Sequence, residues 1–205
     1  MSSIDQREGV LFVVSAPSGA GKTSLCRELI DSVSDLRQSI SFATRDVRNG
    51  ERDGVDYHFV GAETFRTMID QHEFAEWAEV HGNLYGTAVS TLKDAAHQGV
   101  DLLLDIDCQG AAQLKKNYHQ GVYLFILPPD MVELEKRLRE RGTNGEDDIV
   151  RRLKNADDEI DQASWYDYLI VNDDFEVAKE KLISIIVAER NKSDRNRYLL
   201  NKFNK

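Results

Sequence analysis

A lysine and a threonine close a run of small residues, Ser15-Ala16-Pro17-Ser18-Gly19-Ala20-Gly21-Lys22-Thr23, and Ser24 follows. Glycines let the backbone turn tightly enough for successive N–H groups to face one anion. A helix beginning there adds its positive end. Lys22 then reaches the β- and γ-phosphates of a nucleoside triphosphate, and the Thr23 hydroxyl can ligate Mg²⁺. The strict pattern asks for glycine where Ala16 stands. Further on, Asp105 and Asp107 follow Leu102-Leu103-Leu104. Acids at the carboxyl end of a buried strand face the crevice where open α/β sheets bind ligands. Strand alternation puts both on one side, where one or both hold Mg²⁺ or its water shell. Arg45 and Arg48, three apart with Tyr57 beyond them, suit a clamp on a phosphate dianion.

These residues need a frame. Val10-Leu11-Phe12-Val13-Val14 is a continuous apolar run, as in a strand buried on both faces. Leu25, Cys26, Leu29, Ile30 and Val33 then recur at helical spacing. Apolar runs over 100–106, 122–127 and 167–171 predict further strands, and helical patterns lie over 88–98, 109–117, 130–141, 146–162 and 174–190. That alternation predicts an α/β chain with a parallel sheet and helices on both faces. Two stretches break the rhythm. Residues 39–85 mix short strand-like pieces with one amphipathic helix around Phe65, Met68 and Ile69, which fits a substrate-binding insertion. Residues 137–158 are dense in charge with Gly142 and Gly145 as turns, which fits a mobile cover. Taken alone, a decorative insertion and a solvated charged helix explain the same features. Asp130 and Glu133 have the spacing of a capping box.

Bulk properties narrow the class. The 205 residues suffice for one sizeable domain without disulfides. A net charge of −10 argues against a nucleic-acid polymer as partner, since that needs a basic footprint. A small phosphorylated ligand needs only a few local arginines. Cys26 and Cys108 form no CxxC pair, and unpaired thiols suit a reducing compartment. Residues 1–9 lack an apolar stretch and the run over 10–14 is too short to cross a bilayer, so a cytoplasmic chain without membrane contact is expected.

Six motifs in order carry a resemblance. They are SAPSGAGKT over 15–23, TRxxRxGExxGxxYxF over 44–59 with Ser41 before it, and EFxEWAEVxGNxYGT over 73–87, then LDIDxQG over 104–110, RLRxRG over 137–142 and IVNDD over 170–174. Together they resemble the guanylate kinase family, across nearly the whole chain. The resemblance implies a P-loop core of three layers, an insertion that binds the nucleoside monophosphate, and a lid. The core takes about 8–38, 91–128 and 160–190, the insertion 39–90 and the lid 129–159. Residues 191–205 make a C-terminal helix or tail. It also implies ATP-dependent phosphorylation of GMP to GDP, with dGMP as a further acceptor, in purine nucleotide metabolism.

By the same resemblance Ser41, Arg45, Arg48, Tyr57, Glu76, Tyr85, Thr87 and Asp105 contact GMP. Arg45, Arg48, Tyr57 and Tyr85 hold its phosphate, and Ser41, Glu76, Thr87 and Asp105 read the base. Guanine presents N1–H and an adjacent amine, and one carboxylate accepts from both. Adenine offers a lone pair there instead, so the same carboxylate goes unpaired. As an isolated residue, Glu76 would be a solvated acid at a helix end. ATP falls to residues 16–24 with Asn172 and Asp173, and Mg²⁺ to Thr23 and Asp107, the latter through water. Catalysis falls to Lys22, Arg45, Arg137, Arg141 and Arg152, because phosphoryl transfer is mostly positioning and charge stabilisation. Ala43, Asp46, Val47 and Asn49 depart from the family pattern, and the lost prolines would loosen that loop. A phosphate-loop kinase for another small phosphorylated acceptor, or a non-catalytic binding module of similar fold, would share parts of this list. The sequence leaves a homo-oligomer open.

Overall fold

A computed structural model of the chain describes residues 7–80, 82–118, 121–140 and 145–203. Its centre is a five-stranded parallel sheet in the order β2-β7-β1-β8-β9. The strands are β1 (Leu11–Ser15), β2 (Leu36–Gln38), β7 (Asp101–Asp105), β8 (Val122–Leu127) and β9 (Tyr168–Val171). Phe12, Val13 and Val14 pair with β7 on one side and β8 on the other, so the apolar run is buried on both faces. One face packs on α1 (Lys22–Ser32) and α7 (Phe175–Arg190) through Leu25, Leu29, Leu182 and Ile186. The other packs on α3 (Val89–Gln98) and α4 (Cys108–Asn117) through Leu92, Cys108, Ala111 and Leu114. Each of these leucines and Ile186 contributes about 1.5–3 kcal/mol by leaving water. The expected α/β class with helices on both faces is what the chain adopts.

The edge strand β2 has no counterpart in the sequence reading. Only Leu36 of its three residues is buried, so it carries no apolar run to betray it. At the opposite end of β7 from the phosphate loop, Asp101 is fully buried. It accepts hydrogen bonds from Arg7, from Arg190 at 2.6 Å and from the Val10 N–H at 2.7 Å. Pinning β1, β7 and α7 together in this way fixes the register of the central strands, because a buried carboxylate must keep its partners.

Residues 42–88 build a second sheet, β4-β3-β6-β5. Its strands are β3 (Phe42–Ala43), β4 (His58–Phe59), β5 (Phe74–Val80) and β6 (Asn83–Ala88), and α2 (Ala62–Asp70) buries Phe65 against Phe74. Two helices, α5 (Met131–Glu140) and α6 (Glu146–Asp161), carry a separate small core of Leu134, Leu138, Ile149 and Ala156. Asp130 caps α5 by accepting from the Glu133 N–H at 2.7 Å. The reciprocal half of the capping box is missing, because the Glu133 carboxylate accepts from Lys136 and Arg137 instead. Among the described residues no helix is long and apolar enough to cross a membrane.

Candidate active site

The carboxyl ends of β1, β7, β8 and β9 open onto one edge of the central sheet, and each delivers something there. After β1 the chain turns through Gly19 and Gly21 at φ 101° and 95°, where L side chains are strained, and enters α1 directly at Lys22. Alanine in place of Gly21 would also bring its Cβ within 2.4 Å of Asn172 Nδ2. No side chain caps α1, so its first amides and positive end are left for an anion. Ala16 keeps negative φ, since Asp35 and His72 are the non-glycine residues at positive φ among those described. Hence the missing glycine costs the loop no backbone strain.

Lys22 Nζ lies 2.8 Å from Asp105 Oδ1 and donates to the Ile106 carbonyl at 2.9 Å. Burial pulls the Lys22 pKa down, but the Asp105 carboxylate beside it more than reverses this and keeps the ammonium charged. Asp105 therefore faces two ways, towards the phosphate loop and into the cleft beside β5 and β6. The expectation that Asp105 and Asp107 both end a strand needs correcting. β7 stops at Asp105, and Asp107 is the N-cap of α4, its Oδ1 accepting from the Gly110 N–H at 2.8 Å. Both still line the cleft, but by different means, and half of the Asp107 carboxylate belongs to the helix.

That cleft holds about 240 Å³ and is walled by Ser41, Arg45, Arg48, Tyr57, Glu76, Tyr85 and Asp105 among others. Thr87, fully buried, lies behind the wall with its Oγ1 3.4 Å from Ser41 Oγ. Antiparallel pairing of β5 with β6 sets Glu76 opposite Thr87 and Ala78 opposite Tyr85, so alternation presents all four on one face. Glu76 is thus a buried strand residue, 4% exposed, and not a solvated helix-end acid. Desolvation drives its pKa up to about 7, with Thr87 hydrogen bonding opposing and Asp107 adding to the rise. Gly110 makes room for it, since a Cβ there would lie 2.5 Å from Glu76 Oε2. In the same cleft, the Arg45 guanidinium sits over the rings of Tyr57 and Phe59 at 4.9 and 5.3 Å.

From above, α5 and α6 send arginines down. Arg152 donates to Ser18 Oγ at 2.8 Å while its Nε is held by Asp148 at 2.7 Å. Arg137 donates to the Asn172 carbonyl at 3.1 Å. Asn172 in turn donates to the Ala20 carbonyl at 2.8 Å, so its amide braces the phosphate loop. Asp173 turns to its own chain and accepts from the Asp174 N–H. Thr23 and Ser24 lie exposed in the first turn of α1. Arg141 lies outside the described residues. Spacing alone did not reveal Glu51, whose carboxylate takes two hydrogen bonds from Arg45. Glu159 is another, half-buried within electrostatic reach of Lys22 and Asp107, its pKa raised to about 7 chiefly by desolvation.

Known proteins resemble this chain over nearly its whole length. The model of the guanylate kinase family matches residues 8–189. A guanylate kinase of Syntrophotalea carbinolica is 62% identical over 90% of this chain and 88% of its own length. One from Geobacter metallireducens is 56% identical over 90% of this chain and 91% of its own. The crystal structure of guanylate kinase from Anaplasma phagocytophilum superposes with a TM-score of 0.76 at 35% identity, covering 98% of both chains. A glycine-rich loop, a cleft with a buried acid and a pair of helices bearing arginines thus sit on a sequence matched almost end to end, and the chain belongs to the guanylate kinase family.

Proposed function

We propose that this chain transfers the γ-phosphoryl group of ATP to GMP, with the acceptor in the cleft between the two sheets and the donor on the phosphate loop. The reaction follows from the family, and the residue roles are our reading of the site. The observation that carries them is Glu76, a buried carboxylate lining the same cleft as Arg45, Arg48, Tyr57 and Tyr85. A purine with two adjacent donors at one edge and a phosphate elsewhere fits that combination of acid and arginines. Ser41 and Thr87 complete the base end, and Asp105 stands between base and phosphate loop.

Residues 16–24 cradle the phosphates of ATP through backbone N–H groups. Lys22, released from Asp105 when phosphate arrives, supplies charge to the β- and γ-oxygens. Arg152 already reaches the loop at Ser18, and Arg137 reaches the Asn172 carbonyl beside it, so a small closure of α5 and α6 brings both over the migrating group. Asn172 holds the loop's shape at Ala20, and Asp173 lies at the rim on the adenine side. Arg141 acts with the other two arginines. The hard oxygen donors near the loop, the Thr23 hydroxyl and the free oxygen of Asp107, fit Mg²⁺, which keeps most of its water and takes its other ligands from phosphates. Thr23 would hold it directly and Asp107 through water, and the ion supplies neutralisation of phosphate charge when bound. Core, insertion and lid then divide as 8–38 with 91–128 and 160–190, 39–90, and 129–159. The free buried Cys26 and Cys108 suit the cytoplasm, where GDP formation serves purine nucleotide metabolism.

ADP release from ATP and Mg²⁺, measured against GMP, AMP, CMP, UMP and dTMP, tests the assignment. Turnover with GMP should exceed the others by at least about a hundredfold, the discrimination available to a site built on hydrogen bonds to the base. Comparable rates on several bases would remove Glu76 from base reading.

A further inference from the structure

Glu51 belongs to the motif over 44–59, yet neither base nor phosphate reading gives it work. Its carboxylate grips Arg45 end-on, with NH1 donating to Oε2 at 2.6 Å and NH2 to Oε1 at 2.7 Å. Oε2 also accepts from the Arg48 N–H at 2.9 Å. Gly50, at φ 91°, makes the turn that sends Glu51 back towards Arg45, and the Glu51 N–H closes it on the Arg48 carbonyl at 3.0 Å. One residue is thus bonded to both arginines of the clamp.

A guanidinium has five N–H donors in a fixed plane. NH1 uses both of its donors, one on Glu51 and one on the Asp46 carbonyl at 3.0 Å, and NH2 uses one. What Glu51 and Asp46 leave is Nε–H and one NH2 N–H, side by side on the other edge and within reach of the Tyr57 and Tyr85 hydroxyls, a fork that matches two phosphate oxygens. Tyr57 and Phe59 fix the plane from the side.

We propose that Glu51 is a positioning residue for the acceptor's phosphate, holding Arg45 by one edge so that the opposite edge stands ready in the cleft. The inference rests on the acceptor-site reading above. Two effects of Glu51 on a phosphate oppose each other. Its negative charge repels the dianion, but a partly exposed carboxylate is screened by water and salt. Its grip removes the freedom that a long side chain would otherwise lose on binding. The grip prevails.

Steady-state kinetics of the full chain test this with Glu51→Ala, Glu51→Gln and Arg45→Ala, using guanosine as a competitive inhibitor that lacks the phosphate. Glu51→Ala should raise the KM for GMP about tenfold, the scale of ordering one such side chain, and lower kcat less. The guanosine inhibition constant and the KM for ATP should stay at their wild-type values. Glu51→Gln, which keeps shape and one acceptor, should fall between, and it carries the test where the alanine variant does not fold. Tighter GMP binding in either variant would make Glu51 a competitor for Arg45 and overturn the proposal. Weakening of guanosine in step with GMP would do so too, by showing that the whole cleft had loosened. An unchanged KM for GMP in Arg45→Ala would instead overturn the phosphate-site reading itself, and the proposal with it.

Discussion

A carboxylate held from water beside a second acid is at odds with stability, and Glu76 shows how function sets the terms. Its pKa rises from 4.5 to about 7, chiefly through desolvation. Below pH 4.5 it is neutral in both folded and unfolded chains and costs nothing. As pH rises through 4.5 the unfolded chain ionises first, and stability falls until about pH 7, by on the order of 3 kcal/mol. Glu76→Gln removes that loss. Denaturant unfolding should therefore show the variant gaining on the wild type by about 2–3 kcal/mol between pH 5 and pH 8, while its turnover of GMP collapses, because a glutamine amide meets the guanine amine donor to donor. Parallel stability profiles would mean that Glu76 is ionised in the folded chain throughout this range. When guanine brings two donors to the carboxylate, the charged form is favoured again, so the base itself relieves what burial imposed.

At the scale of elements, that carboxylate depends on a helix distant in sequence. Gly110 lies in the first turn of α4, where the Asp107 side chain accepts its N–H, and a Cβ there would meet Glu76 Oε2 at 2.5 Å. Alanine is the better helix former by about 1 kcal/mol, but crowding a buried carboxylate costs about 1–3 kcal/mol, so Gly110→Ala should lower the melting temperature by no more than a few degrees. It should nevertheless raise the KM for GMP by about tenfold or more by displacing Glu76, with the KM for ATP unmoved. An unchanged KM for GMP would show that the carboxylate finds its place without that gap. No spacing rule links residues 76 and 110, and this is where reading from sequence ran out. The long elements were legible because β1, β7 and β8 are continuous apolar runs and the helices keep one apolar face. β2 was not, since Arg37 and Gln38 are exposed on an edge. Alternation makes Asp107 look like a strand residue, but β7 ends at Asp105 and Asp107 already caps α4. Ser41, Arg45, Tyr57 and Tyr85 were named together through the motif they share, whereas Glu51 takes its meaning from a fold-back at Gly50. The expected looseness of the loop without prolines has a counterweight of the same kind. Glu51, Asp53 and Asp56 accept from the N–H groups of Arg48, Phe59 and Arg52 at 2.8–2.9 Å, stapling the segment by carboxylates.

Across the whole molecule the apolar clusters are unequal, and this sets which part moves. Two large ones lie on the faces of the central sheet, whereas that of α5 and α6 has four buried members with Met131 and Leu153 against it. The pair meets the phosphate loop where Gly19 packs on Leu134 and Leu138, and where Arg152 reaches Ser18. Beyond these contacts α6 is held at its carboxyl end by Ile160, packed against a central cluster, and along its length by surface ion pairs such as Arg139 with Glu146, each worth about 1 kcal/mol or less. Local opening follows the weakest cluster, so the amides of α6 should exchange hydrogen faster than those of β1 and β8 in the free protein. The chain carries a net charge of −10 and its substrates are anions, so arginines descending from α5 and α6 gain most when phosphate gathers at the loop. ATP with GMP should therefore slow exchange in α6 by about tenfold or more, the scale of a charge-assisted contact, with β1 and β8 little changed. Arg152→Ala should keep the fast exchange of the free protein and lose most of the slowing, because it removes the bridge to Ser18 and to the phosphates beyond it. Were α6 as protected as β1 and β8 before any nucleotide is added, the two helices would be a fixed wall of the site, and closure would have to be sought in the sheet that carries Glu76.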